Sequence, residues 1–291
     1  MTKPAAFALF SCVVFFCACS SAPQRPAEVF ANRNTAANHL NLANQNAGQG
    51  RFEDALFILE EAWRLALAAD DPALRINTAI SRGSILFSLN RHDEAFREWE
   101  SASAEGEASS LPLLAARARI YAIRARLVLL SGENPEGGDG AAQELKTQVL
   151  AEIAAVRADP VSSAAGFVTL GMAEKQLRHW TEAENAVARA LPVHERNRMF
   201  EDAAYDWFVI ASIRSVAGKH NAALEALTTA IQFDRRAENA FGLASSWQAM
   251  GAVYQNAGRT EESRAAYRRS ADIYRAIGLD SHAEEIENLL K

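Results

Sequence analysis

Along the chain, apolar stretches are broken by short polar turns that recur at a fixed interval. Five such turns align without gaps, at residues 50–55, 90–95, 178–183, 218–223 and 258–263. With the second position of each as an anchor, the step from Arg51 to Arg91 equals that from His179 to Lys219 and from Lys219 to Arg259: a period of 40. The interval from Arg91 to His179 is 88, two periods plus eight, and the Gly-rich stretch Gly132 to Gly140 offers a home for the surplus. The register extends well beyond the turns. Eight positions before the anchors stand Ala43, Gly83, Gly171, Ala211 and Gly251; four after them, Ala55, Ala95, Ala183, Ala223 and Ser263. Eleven after them come Ala62, Ala102, Ala190, Ala230 and Ser270, and twelve before the last three come Phe167, Trp207 and Trp247.

Small residues at fixed positions let two antiparallel helices approach closely, while a large ring fills the space beside them. Gly followed by a basic residue at several turns suits a helix C-terminus, where Gly accepts the left-handed conformation and a cation complements the dipole. Composition points the same way. Ala, Leu, Glu and Arg dominate, side chains that lose little rotamer freedom on a helix. No run of alternating Val, Ile and Thr suggests a sheet. Pro72, Pro112 and Pro160 fall between repeats, where Pro is tolerated at a helix start.

This pattern of aromatic and small positions resembles the tetratricopeptide repeat, over roughly residues 35–278. Two features depart from that family: the period is 40 rather than the usual 34, and no Pro closes each repeat at one fixed place. The resemblance implies an all-α, right-handed α-solenoid of about six helix-turn-helix repeats, near 35–71, 72–110, 111–159, 160–199, 200–239 and 240–279. The third is stretched at its internal turn. A final short helix over 280–291, with Asp280 or Ser281 as N-cap and Glu284, Glu285 and Glu287 exposed, is expected to cap the solenoid.

The N-terminus follows a different pattern. Lys3 precedes an apolar run from Ala5 to Cys17, too short to span a bilayer but suited to a signal-peptide core. All three cysteines, Cys12, Cys17 and Cys19, lie here, so the remainder has no thiol for a disulfide, a zinc site or a nucleophile. Phe16-Cys17-Ala18-Cys19 resembles a bacterial lipobox, with Phe16 where Leu is common. The resemblance implies cleavage after residue 18, acylation of Cys19, and a Pro-bearing tether over 19–34. Ser20 and Ser21 resemble the outer-membrane sorting pattern of Gram-negative lipoproteins.

The formal charge of −6 repels phosphate backbones, so nucleic acid is not an expected partner. The six histidines fall singly and no zinc-binding spacing occurs, so neither a metal nor a cofactor is expected. His92, His179 and His220 recur at the turns and are read as shielding helix ends. The carboxylate pairs Glu60-Glu61, Glu261-Glu262 and Glu284-Glu285 are neighbours in sequence and diverge by about 100° on a helix, which argues against acid/base dyads. No catalytic residue is assigned, and the chain is read as a binding protein rather than an enzyme.

In the resembled family the first helix of each pair lines the concave face. That places Leu40 and Asn44 there in repeat one, and Asn77, Ile80, Ser84 and Phe87 in repeat two. Val168, Met172 and Lys175 follow in repeat four, Tyr205, Phe208 and Ser212 in repeat five, and Gln248, Ala252 and Gln255 in repeat six. The expected partner site is an open, amide-rich groove of Asn44, Asn77, Ser84, Lys175, Gln248 and Gln255 with an aromatic patch at Phe87, Tyr205 and Phe208. Tyr205 and Phe208 equally suit packing against the next repeat. Asn44, Asn77 and Lys175 are too scattered for a carboxylate clamp. The leading expectation is a lipid-anchored scaffold for a protein or peptide partner in the bacterial envelope, at the outer membrane facing the periplasm, touching the membrane through the lipid alone. The alternative is a component of solute handling that presents a small or lipidic molecule, which a continuous apolar tunnel would favour. A cryptic enzyme would need polar groups converging in a pocket.

Overall fold

The structure is a computed structural model that describes residues 31–133 and 138–290. The leader, Cys19, the tether up to Phe30 and residues 134–137 of the Gly-rich stretch lie outside the described residues. What is described is all helical and forms a tetratricopeptide-like solenoid of paired helices. The pairs are α1 (Ala31–Gly48) with α2 (Phe52–Ala68), α3 (Pro72–Ser88) with α4 (His92–Ala108), and α5 (Pro112–Glu133) with α6 (Asp139–Ala155). Next, α7 (Pro160–Gln176) pairs with a helix in two pieces, α8 (Trp180–Ala188) and α9 (Leu191–Arg196). Finally α10 (Phe200–Val216) pairs with α11 (His220–Ala237) and α12 (Ala240–Asn256) with α13 (Thr260–Ala276), before α14 (Asp280–Asn288). The break between α8 and α9 falls at Pro192, which has no N–H to continue the ladder.

Local chemistry sets the ends. Pro72 and Pro160 open α3 and α7, where the preceding Asp71 and Asp159 accept 3.0 Å bonds from the amides of Leu74 and Ser162. The turns close with a left-handed residue roughly every twenty positions. At Gly50 (φ 76°) the Arg51 amide returns to the Asn46 carbonyl and the Gly50 amide to that of Ala47. Asn90 and Arg178 hold the same place without being glycine. Leu279, not Asp280 or Ser281, occupies the cap position of α14, and no side chain caps that helix.

The small residues of the repeating register form the seam inside each pair. Ala43, Ala55, Ala62, Ala95, Ala183, Ala190, Ala223 and Ala230 are all fully buried. A Cβ on Gly83, Gly171 or Gly251 would stand within 2.6 Å of Trp99, 2.4 Å of Val187 or 2.6 Å of Tyr267. In the last pair the two serines use the closeness differently: Ser263 donates to the Gly251 carbonyl (2.9 Å) and Ser270 to that of Ala244 (2.8 Å).

The surplus of the third repeat is partitioned. Its seam residue is Ala142, fully buried, which puts the anchor at Gly138. The interval from Arg91 to Gly138 is then 47, and that from Gly138 to His179 is 41. Seven extra positions therefore fall in the hairpin, where α5 runs to 22 residues against 17 for most others. The eighth falls in the turn after Val156, which has no left-handed residue.

The solenoid returns on itself. The turn between α1 and α2 packs against the last repeats: Phe52 meets Phe241 edge-on at 5.1 Å between ring centroids. A Cβ on Gly50 would lie 2.7 Å from Ile277, and one on Gly48 would face Glu201 and Asn239. Leu279 joins the same apolar cluster. The two ends of the expected groove are thus brought into contact, as a ring, by residues of the first turn and of the last repeats.

Candidate functional site

Between these ends lies a solvent-open cavity of about 460 Å³. Asn44 and Phe52 line it from the first pair, Ser84 from α3, Arg117, Tyr121 and Arg124 from α5, Glu201, Asp202 and Tyr205 from α10, and Phe241 from α12. Two recesses adjoin it. One, of about 310 Å³, lies among Phe87, Trp99, Tyr121, Arg124 and Tyr205. The other, of about 250 Å³, lies among Tyr205, Phe208, Asp234, Phe241 and Ser245. Tyr205 borders all three spaces.

These spaces bring together Asn44, Ser84, Phe87, Tyr205 and Phe208 of the expected groove. Tyr205 and Phe208 stack at 6.3 Å and also pack on the central apolar core, so each serves both wall and packing. Phe87 reaches its recess while resting on His92 and Trp99. The other four stand elsewhere. Asn77 accepts a 2.7 Å bond from Arg117, and Gln255 accepts a 3.1 Å bond from the Tyr267 hydroxyl of its own repeat. Lys175 donates to Ser212 (3.1 Å), and burial lowers its pKa. Gln248 is half-buried on α12 and borders none of the three spaces. The lining is mixed polar and aromatic, unlike the continuous apolar tunnel that lipid handling would favour. Among the turn histidines, His179 bonds Glu174 (2.8 Å), which also pairs with Lys146.

The charged lining was not singled out by patterning on the hairpin turns. Arg117, Tyr121 and Arg124 follow one another at i, i+4 and i+7, one stripe of α5. Counting from the opening prolines would have found them. Pro112 follows Pro72 by one full period, so Arg117 is the counterpart of Asn77 and Arg124 that of Ser84. The insertion lies beyond them, towards the hairpin, and obscures the register only when the turn is the reference. Arg124 is held by the Ala165 carbonyl (3.0 Å) and Thr169 (3.2 Å), with its guanidinium over the rings of Tyr121 and Tyr205 at 5.1 and 5.2 Å.

The opposite wall is acidic. Glu201 is exposed on the cavity wall; desolvation by its surroundings, then Asp202 and Asp234, push its carboxyl up to about 7. Burial likewise pushes Asp234 up to about 7, against the bonds it accepts from Ser246 and Asn239. Behind this wall lies a buried pair, His194 and Asp206, 2.7 Å apart. Burial pushes Asp206 to about 6. It also opposes charge on His194, but the carboxylate outweighs it and raises the imidazole pKa. This pair joins α9 to α10 across a turn, and its spacing in the chain carries no sequence signal.

Among the described residues, no group of three or more His, Cys, Asp or Glu is placed to hold a metal ion. No described helix is long and apolar enough to cross a membrane. Residues 244–277, nearly all of the α12–α13 pair, match the profile of the tetratricopeptide repeat. No curated protein matches the chain. Solved structures share the fold at low identity. A Rap protein complexed with competence and sporulation factor superposes with a TM-score of 0.56 at 14% identity, over 88% of this chain and 70% of the other. BtubC (BKLC) from P. vanneervenii does so with a TM-score of 0.50 at 15% identity, over 83% and 92%. Fold and repeat together define a tetratricopeptide-like solenoid, with the match to the repeat profile falling on the α12–α13 pair.

Proposed function

We propose that this chain is a lipid-anchored scaffold of the bacterial envelope, tethered through Cys19, that receives a segment of a protein or peptide partner inside its ring. The observation that carries the binding half is the inner wall of Asn44, Ser84, Tyr121 and Tyr205, with hydrogen-bonding groups beside aromatic faces. Such a wall suits an extended segment, whose backbone needs polar partners and whose side chains need pockets. The complex of a Rap protein with competence and sporulation factor is a precedent on a similar fold. The anchoring half rests on the leader and on the lipobox-like residues Phe16 to Cys19, with Ser20 and Ser21 favouring the outer membrane and a periplasm-facing ring.

Two measurements test the halves separately. Cys19→Ala should move the protein from the membrane to the soluble fraction with unchanged helical circular dichroism; a variant that stays with the membrane overturns the anchor. A photo-cross-linking residue at Asn44 or Ser84 should capture one or two envelope proteins in intact cells. Equal capture from exposed Arg268 on the outer face would show that the interior has no special role.

A further inference from the structure

We infer that the central cavity recognises a short zwitterionic peptide from both ends, its carboxylate at Arg117 and Arg124 and its ammonium group at Glu201 and Asp202. The inference rests on the reading of the inner wall as the partner site, and narrows the partner to a free peptide small enough to fit the cavity.

The first observation is the pairing of arginines. Arg75, Arg82, Arg119 and Arg214, partly buried between helices, each hold a glutamate: Glu105, Glu98, Glu152 and Glu184 respectively. Arg117 and Arg124 are the exception within the ring. Among the described residues no carboxylate stands within ion-pairing distance of either, and the Nε of Arg117 is buried without a hydrogen-bond partner. A half-buried guanidinium with no carboxylate in contact is free to accept one from a ligand. Their hydrogen-bond partners, Asn77 for Arg117 and Ala165 and Thr169 for Arg124, are neutral, and Arg124 feels the buried Asp206 only at longer range. A ligand carboxylate would give both guanidinium groups a direct ion-pairing contact.

The second observation is the sign of the facing wall. Glu201 and Asp202 border the same cavity from the first turn of α10, and neither is ion-paired to a described residue there. Cations on α5 and acids on α10 give one space two poles. A ligand with a single charge would satisfy one pole and meet the other unneutralised. A peptide with free ends satisfies both, and its side chains meet Tyr121, Tyr205 and the recess of Phe87. A cavity of about 460 Å³ lies within the range of small-ligand sites, roughly 300–1,000 Å³.

The test uses the full-length chain in detergent micelles, immobilised and exposed to an equimolar mixture of tripeptides with central Phe, Tyr or Leu. Retained species are read by mass spectrometry, and affinities by titration calorimetry. We expect free tripeptides to be retained, with N-acetylation and C-amidation each weakening binding at least tenfold. In Arg117→Met the penalty for amidation should vanish while that for acetylation persists; in Glu201→Gln the reverse should hold. Helical circular dichroism verifies that both variants are folded. Retention indifferent to blocked ends, an amidation penalty unchanged in Arg117→Met, or no retained tripeptide would each overturn the inference. A chain that captures an envelope protein from Asn44 but no tripeptide overturns this inference alone. One that retains tripeptides but captures no protein overturns the scaffold reading alone.

Discussion

The seam inside each helical pair and the closure between the first and last repeats are both close contacts, but they are built from different kinds of residue. The seam repeats: Gly83 beneath Trp99, Gly171 beneath Val187 and Gly251 beneath Tyr267 are one solution used three times. Its partners are near in sequence, so each pair can form with little loop-closure cost. The closure occurs once, between Phe52 and Phe241, with Gly50 against Ile277 and Leu279. Its partners come from the first and last repeats, and it borders carboxyls that resist ionisation. The solenoid and the ring are therefore separable. The seam makes the helices stack, and the closure turns a groove into a cavity.

The largest expected effect comes from breaking the closure at its centre. Phe52 is buried, and Phe52→Ala should cost about 3–5 kcal/mol. Beyond a lower melting temperature, small-angle scattering should show a larger radius of gyration as the ends part. A variant that melts earlier at unchanged radius would show that Phe52 supports only its own repeat. Breaking the seam should cost somewhat less. Gly171→Ala forces a methyl into Val187 and towards the Ala183 carbonyl, at about 1–3 kcal/mol. Its melting temperature should fall with no change in radius, and an unchanged melting curve would refute the tightness of that crossing.

The smallest effect separates the two regions by pH. Glu201 and Asp234, both pushed up to about 7, flank the closure at Gly48 and Asn239. Asp206 and His194, also raised, lie just behind, with Asp202 alongside. All four raised groups bind protons more tightly folded than unfolded. The stability they permit is therefore complete near pH 4 and lost as pH rises through about 6 to 7. Discounting for the water that reaches Glu201, the loss between pH 5 and pH 8 should be on the order of 1 kcal/mol. The seam contains no such groups, so Gly171→Ala should lower the curve at every pH alike, while Phe52→Ala should flatten it. Parallel curves for both variants would detach the acidic cluster from the closure.

The helices, their pairing and their spacing are legible in the chain alone. Each depends on residues close in the chain: Pro and Asp at helix starts, left-handed residues at turns, and small side chains at fixed offsets across a hairpin. Local backbone preference and steric fit act at those ranges, so the pattern survives in one dimension. The first-helix rule offered nine residues for the inner wall, of which Asn44, Ser84, Phe87, Tyr205 and Phe208 border the cavity or its recesses, while Asn77, Lys175, Gln248 and Gln255 do not. The tertiary structure alone decided that the two ends meet, since closure depends on the accumulated rotation of six repeats and on contacts the period does not encode. It alone set which charges remain unpaired. Arg75 and Arg117 look alike as letters, and only the third dimension brings a glutamate to one and leaves the other facing a cavity.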